Sequence, residues 1–222
     1  MEEFSEKISQ SLLKEGASLV GFADIKNVSP DFTDSFPFAI SIAVALNPSV
    51  VAQLTEGPTL VYYGEYQKVN LFLSNLGKFT ANLLRDRGFK AQPLEPTTEN
   101  FNPKSLSTPL PHKTVATRAG LGWVGKSALL ITKSFGSAIR LTSVLTDIPL
   151  PVAQPYNQSH CDDCSICVEN CPAHAPLGPN WEINSPLEKY FNAFSCQESA
   201  KKLSQSIGID ATICGICIAS CP

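Results

Sequence analysis

Charge is scarce in this chain of 222 residues: Asp, Glu, Lys and Arg make up 17% of it, against roughly 25% in an average soluble domain. With 43% hydrophobic residues, this is not the composition of a disordered segment. A basic surplus is missing too. Seventeen Lys and Arg against twenty Asp and Glu leave a net charge of -3, so no nucleic-acid partner is expected. There is no long apolar run: Phe38–Leu46, the longest, falls well short of the roughly 20 residues that span a bilayer. No membrane association is therefore expected. The first residues, Met1 to Ser5, are acidic and lack the basic and apolar regions of a signal peptide, which points to a cytoplasmic protein. Finally, no cysteine occurs before residue 161.

All eight cysteines crowd into the remainder, as Cys161-x2-Cys164-x2-Cys167-x3-Cys171-Pro172, then Cys196, then Cys214-x2-Cys217-x3-Cys221-Pro222. In a reducing compartment such clustering points to metal rather than to four disulfides. Zinc also uses CxxC pairs and stays open as an alternative. Three close cysteines followed by Cys-Pro, however, is the spacing of bacterial ferredoxins, in which the fourth cysteine ligates the other cluster. The second run keeps the x2, x3 and Cys-Pro spacing, with Cys196 as its displaced first cysteine. By symmetry, one [4Fe-4S] cluster is assigned to Cys161, Cys164, Cys167 and Cys221, the other to Cys171, Cys196, Cys214 and Cys217. No cysteine is left over. Two such clusters make the loaded protein more acidic and suit a basic patch on a redox partner that donates electrons.

The rest of the chain alternates helix and strand signals, which gives an α+β class. Phe4, Ile8, Leu12 and Leu13 recur at helical spacing before Gly16. Residues 17–25 read as a strand. Residues 38–46 alternate bulky and small side chains, so a strand closely packed on both sides is expected. Tyr62, Tyr66, Val69, Phe72, Leu73, Leu76, Phe79 and Leu83 predict a long helix that Gly88 ends. Residues 91–111, rich in Pro, Thr, Ser and Asn, read as a loop. Residues 112–119 suggest a short helix, and 128–132 and 138–146 two strands. Prolines 149, 151 and 155 mark a linker, so two domains are expected: 1–155 and 156–222.

Gly120-Leu121-Gly122-Trp123-Val124-Gly125-Lys126-Ser127 satisfies the P-loop pattern G-x4-G-K-[ST]. A P-loop needs a buried strand before it and a helix after it. Here the preceding residues are half polar and the following Ala128–Thr132 is strand-like, so an ATPase is the weakest reading. The same glycines also fit a tight loop, or one whose backbone approaches a large flat ligand with Trp123 and Lys126 at its rim.

That segment, followed by Leu129-Leu130-Ile131, Leu145-Thr146-Asp147 and the double cysteine pattern, resembles the epoxyqueuosine reductase family, which is related to the corrinoid-dependent reductive dehalogenases. The resemblance runs from about residue 60 onward. It implies an α+β cobalamin-binding domain joined to a ferredoxin-like domain. Gly120, Leu121, Gly122, Trp123, Gly125 and Lys126 would then lie against the corrinoid, and the cluster containing Cys171 and Cys196 would feed it electrons. The family carries D-x-x-P-x-x-E upstream of the glycine loop, whereas this chain has Leu106 and His112 at the two acidic positions. The chain also stops without the helical-repeat extension common in the tRNA-acting members. The resemblance thus implies a short, divergent branch without the acidic pair expected for epoxide deoxygenation, and with an unassigned substrate.

His112 is the candidate proton donor, because histidine titrates near neutrality; the plainer reading is a helix-start histidine. His160 and His174, beside cluster cysteines, read as ordinary loop residues. The expected function is a redox protein in which two clusters pass single electrons to a bound corrinoid that reduces a small-molecule substrate. The alternative is a ferredoxin-type carrier serving a partner enzyme.

Overall fold

A computed structural model describes residues 2–28, 35–98 and 101–221. Pro222, which closes the second Cys-Pro pair, lies outside them. The described chain falls into two compact units. One consists of residues 1–45, 69–122 and 140–156, the other of 46–68, 123–139 and 157–222. The chain passes from the first unit to the second for the last time after residue 156, and the second unit also takes two earlier segments.

In the first unit, α1 (Glu2–Lys14) buries Ile8 and Leu12 completely. Gly16 follows at φ 106°, and the Ala17 N–H donates back to the Leu12 carbonyl at 2.9 Å. A left-handed glycine lets the chain leave the helix without a Cβ penalty. Strand β1 (Leu19–Asp24) pairs antiparallel with β2 (Phe38–Ala45), setting Gly21 opposite Ser41 and Ala23 opposite Ala39. Two further strands, β3 (Ala91–Leu94) and β6 (Ile139–Thr146), complete a sheet of order β1-β2-β6-β3. The segment from residue 91, read from sequence as loop, therefore opens on a strand. Its Pro93 hid it: proline cannot donate to a ladder and is tolerated at a sheet edge, which is where β3 lies.

The small residues of β1 and β2 admit α4 (His112–Arg118), the short helix expected before Gly120. Ala23, Ile25, Ala39, Leu110, Val115, Ala119 and Leu145 form one buried cluster beneath it. At Gly21 a Cβ would lie 2.7 Å from the Ala119 carbonyl oxygen, so any side chain there would push the end of α4 off the sheet. The long helix predicted from Tyr62 is α3 (Leu60–Arg85); Leu73 and Leu84 are fully buried on it.

In the second unit, α2 (Pro48–Val51) starts on Asn47, whose side chain accepts from the Ser49 N–H at 2.9 Å. Strands β4 (Trp123–Val124) and β5 (Leu130–Ile131) form a small antiparallel hairpin. Its Val124 and Ala128 pack with Tyr190, Trp181, Leu187 and Phe191. The strand expected over 128–132 is thus two residues long, because Ala128 takes φ 58° and turns the chain first. Helices α5 (Ile166–Glu169), α6 (Ala193–Ser206) and α7 (Ile216–Ala219) carry the cysteine motifs. Among the described residues no helix is long and apolar enough to cross a membrane.

Candidate metal centres

The two cysteine runs fold alike. In each, a CxxC ends on a four-residue helix: Cys164-x2-Cys167 on α5 and Cys214-x2-Cys217 on α7. The fourth follows the helix end, as Cys171 and Cys221. Cys196 sits in the first turn of α6, where the Asn192 side chain accepts from the Ser195 N–H at 3.1 Å. No disulfide joins the eight.

Their mutual charge effects divide them into two groups. Burial pushes the Cys167 thiol up to about 11, and Cys161, Cys221 and Cys164 add to the rise. Burial also pushes Cys196 up to about 11, helped by Cys171 and Cys214. Cys217 is raised by burial and then, in falling order, by Cys196, Cys214, Cys167 and Cys171, so the two groups meet at Cys167 and Cys217. Four thiols that oppose one another's ionisation need a cation to hold them as thiolates, and iron supplies that charge when a cluster binds. Among the described residues no three His, Cys, Asp or Glu side chains are arranged to hold a single metal ion. A cubane sets its thiolates around a body of eight atoms instead of one ion.

Hydrogen bonds reach some sulfurs. The Ala175 N–H points at Cys171 Sγ at 3.5 Å. Burial raises Cys214, and the Ile216 N–H partly offsets this. Burial likewise raises Cys221, while the hydroxyl and backbone N–H of Ser137 pull it back. Ser137, 2% exposed, also donates to the Cys217 carbonyl at 3.4 Å. Gly215 takes φ 97° at the start of α7, where a Cβ would meet Leu54 Cδ1 at 2.7 Å.

The glycine segment is engaged by the chain itself. In the first unit, a Cβ on Gly120 (φ 68°) would lie 2.9 Å from Ala153 Cβ and 3.0 Å from the Gln154 carbonyl. Arg118 donates to the Tyr156 carbonyl, and the Tyr156 N–H donates to Thr117 O at 3.0 Å. In the second unit, a Cβ on Gly125 would lie 2.7 Å from Ile131 Cγ1 and 3.4 Å from Cys161 Sγ. The Trp123 ring stands 5.2 Å from the His160 ring. Lys126 does not stand at a rim: it is 6% exposed, and its Nζ donates to Asp162 O at 2.8 Å and Cys164 O at 2.9 Å. With a hairpin turn where a P-loop has its helix, and its lysine committed to two carbonyls, this segment is not a phosphate cradle. Of the residues expected to face a corrinoid, Gly120, Leu121 and Trp123 are part-exposed, and Gly122, Gly125 and Lys126 are buried.

In the first unit, His112 has both ring nitrogens engaged: Nδ1 is 2.9 Å from Ser143 Oγ and Nε2 is 2.9 Å from Glu95 O. A carbonyl only accepts, so Nε2 carries the proton and Nδ1 accepts from the serine hydroxyl. Loss of water around the ring lowers its pKa, the Glu95 bond raises it in part, and Arg140 lowers it again. The imidazole thus ties the start of α4 to β6, and its proton is in use. Leu106, at φ 51°, occupies the other position where the resembled family is acidic. Sequence reasoning passed over Lys113, whose ammonium burial brings down to about 8, and the buried placement of Lys126.

No protein-family model matches the chain. An epoxyqueuosine reductase of Pseudomonas aeruginosa is 41% identical over 73 residues, 33% of this chain and 20% of that protein. Across similar curated relatives the match covers from 19% to 32% of their own length. Among solved structures, a reductive dehalogenase described as suggesting a mechanism for B12-dependent dehalogenation superposes with a TM-score of 0.74 at 17% identity, over all of this chain and 32% of the other. Epoxyqueuosine reductase from Streptococcus thermophilus gives 0.60 at 21% identity, over 98% of this chain and 65% of that one.

Proposed function

Because the chain is related to the epoxyqueuosine reductases over part of its length, with the α+β fold shared by the reductive dehalogenases, we propose that it is an iron–sulfur redox protein. Two [4Fe-4S] clusters would be held by Cys161, Cys164, Cys167 and Cys221 and by Cys171, Cys196, Cys214 and Cys217, in a ferredoxin-like arrangement. One observation carries this reading: the thiols that raise one another's pKa fall into these two interlocked groups. When bound, clusters of this type exchange one electron at a time at potentials set by burial and hydrogen bonds to sulfur. The chain's own part is to shield seven of the cysteines in part while leaving Cys164 exposed, to aim N–H groups at Cys171 and Cys214, and to hold Cys221 against Ser137.

For the electron acceptor, the relation to B12-dependent dehalogenation supports a corrinoid that reduces a small-molecule substrate, with the part-exposed Gly120, Leu121 and Trp123 the loop residues placed to touch it. A second reading has its own support. With Gly120, Trp123, Gly125 and Lys126 engaged within the chain, and His112 holding its proton for a carbonyl, the protein also fits a carrier that takes electrons from one partner and serves another. Anaerobic reconstitution tests both. About eight iron and eight sulfide per chain are expected, and zinc in their place would overturn the cluster reading. Retained cobalt with a shifted cobalamin spectrum supports the corrinoid; a spectrum identical to free cobalamin leaves the carrier.

A further inference from the structure

Lys126 is a buried cation with an unusual set of partners. Its ammonium gives two of its three N–H bonds to backbone carbonyls, those of Asp162 at 2.8 Å and Cys164 at 2.9 Å. Both belong to the turn between the first two cysteines. The Cys164 N–H donates to Cys161 O at 2.8 Å across the same turn, and the Asn180 amide adds a bond to Asp162 O at 3.2 Å. Asp162 itself adopts φ 43°, so its carbonyl is turned to the lysine by a backbone shape that few non-glycine residues take. Lys126 takes no part in the ion pairs Lys7–Glu3, Lys26–Asp24, Lys78–Glu95 and Lys202–Glu198. Burying an ammonium costs several kcal/mol unless negative charge or hydrogen bonds offset it, and two neutral carbonyls are a partial offset.

The missing negative charge is implied by the preceding residue. Gly125 comes so near Cys161 that a Cβ there would lie 3.4 Å from Sγ. The chain therefore delivers Lys126 to a turn whose cysteine sulfurs, as ligands of a cluster, are thiolates. Resting on the cluster reading above, we propose that Lys126 is the counter-charge of the cluster held by Cys161, Cys164, Cys167 and Cys221. It would raise that cluster's reduction potential while fastening the turn that presents two of its ligands. Oxidised, a four-thiolate cubane carries roughly -2, and it gains one more negative charge when an electron arrives. A fixed cation favours the reduced form, and more so in a site shielded from water. The other cluster, with none of its ligands in this turn, lacks that contribution.

The test is a potentiometric titration of the anaerobically reconstituted full chain, followed by electron paramagnetic resonance. In Lys126→Met one midpoint should fall by a factor of at least ten in the reduction equilibrium, which is 59 mV for a one-electron couple. The other midpoint should stay, and Lys126→Arg should keep both at wild-type values. Two unmoved midpoints, or two that move equally, would overturn the proposal. Should Lys126→Met take up no iron, Lys126→Arg decides: loading with wild-type midpoints upholds the charge assignment. Failure to load, or a lowered midpoint with the charge retained, sinks it. Absence of iron from the wild-type protein would remove the cluster reading itself, a result distinct from an unmoved midpoint in a loaded variant.

Discussion

His112 Nδ1 stands 2.9 Å from Ser143 Oγ, and the opposite ring nitrogen gives its proton to the Glu95 carbonyl. The fold therefore selects the neutral imidazole, and burial holds its pKa below the ordinary 6.5. The sign follows from linkage: the unfolded chain binds the proton more readily, so this contribution is complete above pH 6.5 and is lost as the pH falls through the folded value. Urea unfolding at pH 5, 6 and 7 should show stability declining with acid. His112→Gln should be less stable at pH 7 by about 1–3 kcal/mol and should show a shallower acid slope. An equal slope in both proteins would contradict the assignment.

Lys113 obeys the same logic with a different window. Burial brings its ammonium from 10.5 to about 8, so the fold prefers it neutral and gains stability as the pH rises from 8 toward 10.5. Lys113→Met should lack this rise, as read from unfolding midpoints of variant and wild type between pH 8 and pH 10.

Interlocked ligation makes a prediction that a sequential arrangement does not. Cys171 follows the first run along the chain, yet its charge bears on Cys196, Cys214 and Cys217. In Cys171→Ser the resonance signal altered should be the one that Cys214→Ser alters, and the Cys161→Ser signal should be a different one. Identical signals for Cys171→Ser and Cys161→Ser would argue for one cluster per run.

Gly215→Ala should be costly for two separate reasons. A left-handed alanine costs roughly 1–2 kcal/mol, and the new methyl would meet Leu54 at 2.7 Å, which adds about 1–3 kcal/mol of overpacking. Thermal unfolding should fall accordingly, with iron content dropping toward four per chain. Leu54→Ala in the same chain should recover part of the loading, because only the steric share is relieved.

Much of the fold was legible because its signals are local. Ile8 and Leu12 mark the buried stripe of α1, and the alternation in 38–46 marks β2 together with the small face that admits α4. Strand β3 was not legible, since its evidence is the pairing of Ala91–Leu94 with Ser143–Thr146, about fifty residues away, while Pro93 argues against it locally. The cysteine pattern was legible because the spacing itself encodes the ligation geometry. Lys126 was not, because lysine beside glycine suggests a solvated loop tip or a phosphate clamp. Its true surroundings come from Asp162 and Cys164, some forty residues later. Ser137 offers no sequence signal at all: a Gly-Ser pair before a strand is ordinary turn chemistry.

The interleaving of the two units has a consequence for how the protein is made. Residues 46–68 and 123–139 leave the ribosome well before residues 157–221, against which Leu54, Gly125, Lys126 and Ser137 pack. Until that last segment emerges these side chains have no place to go, and a buried lysine has neither carbonyl to grip. A nascent chain thus carries two waiting segments, and the metal-binding unit closes only when synthesis has passed its final cysteine. Iron delivery to both sites, by the same token, waits for Cys221.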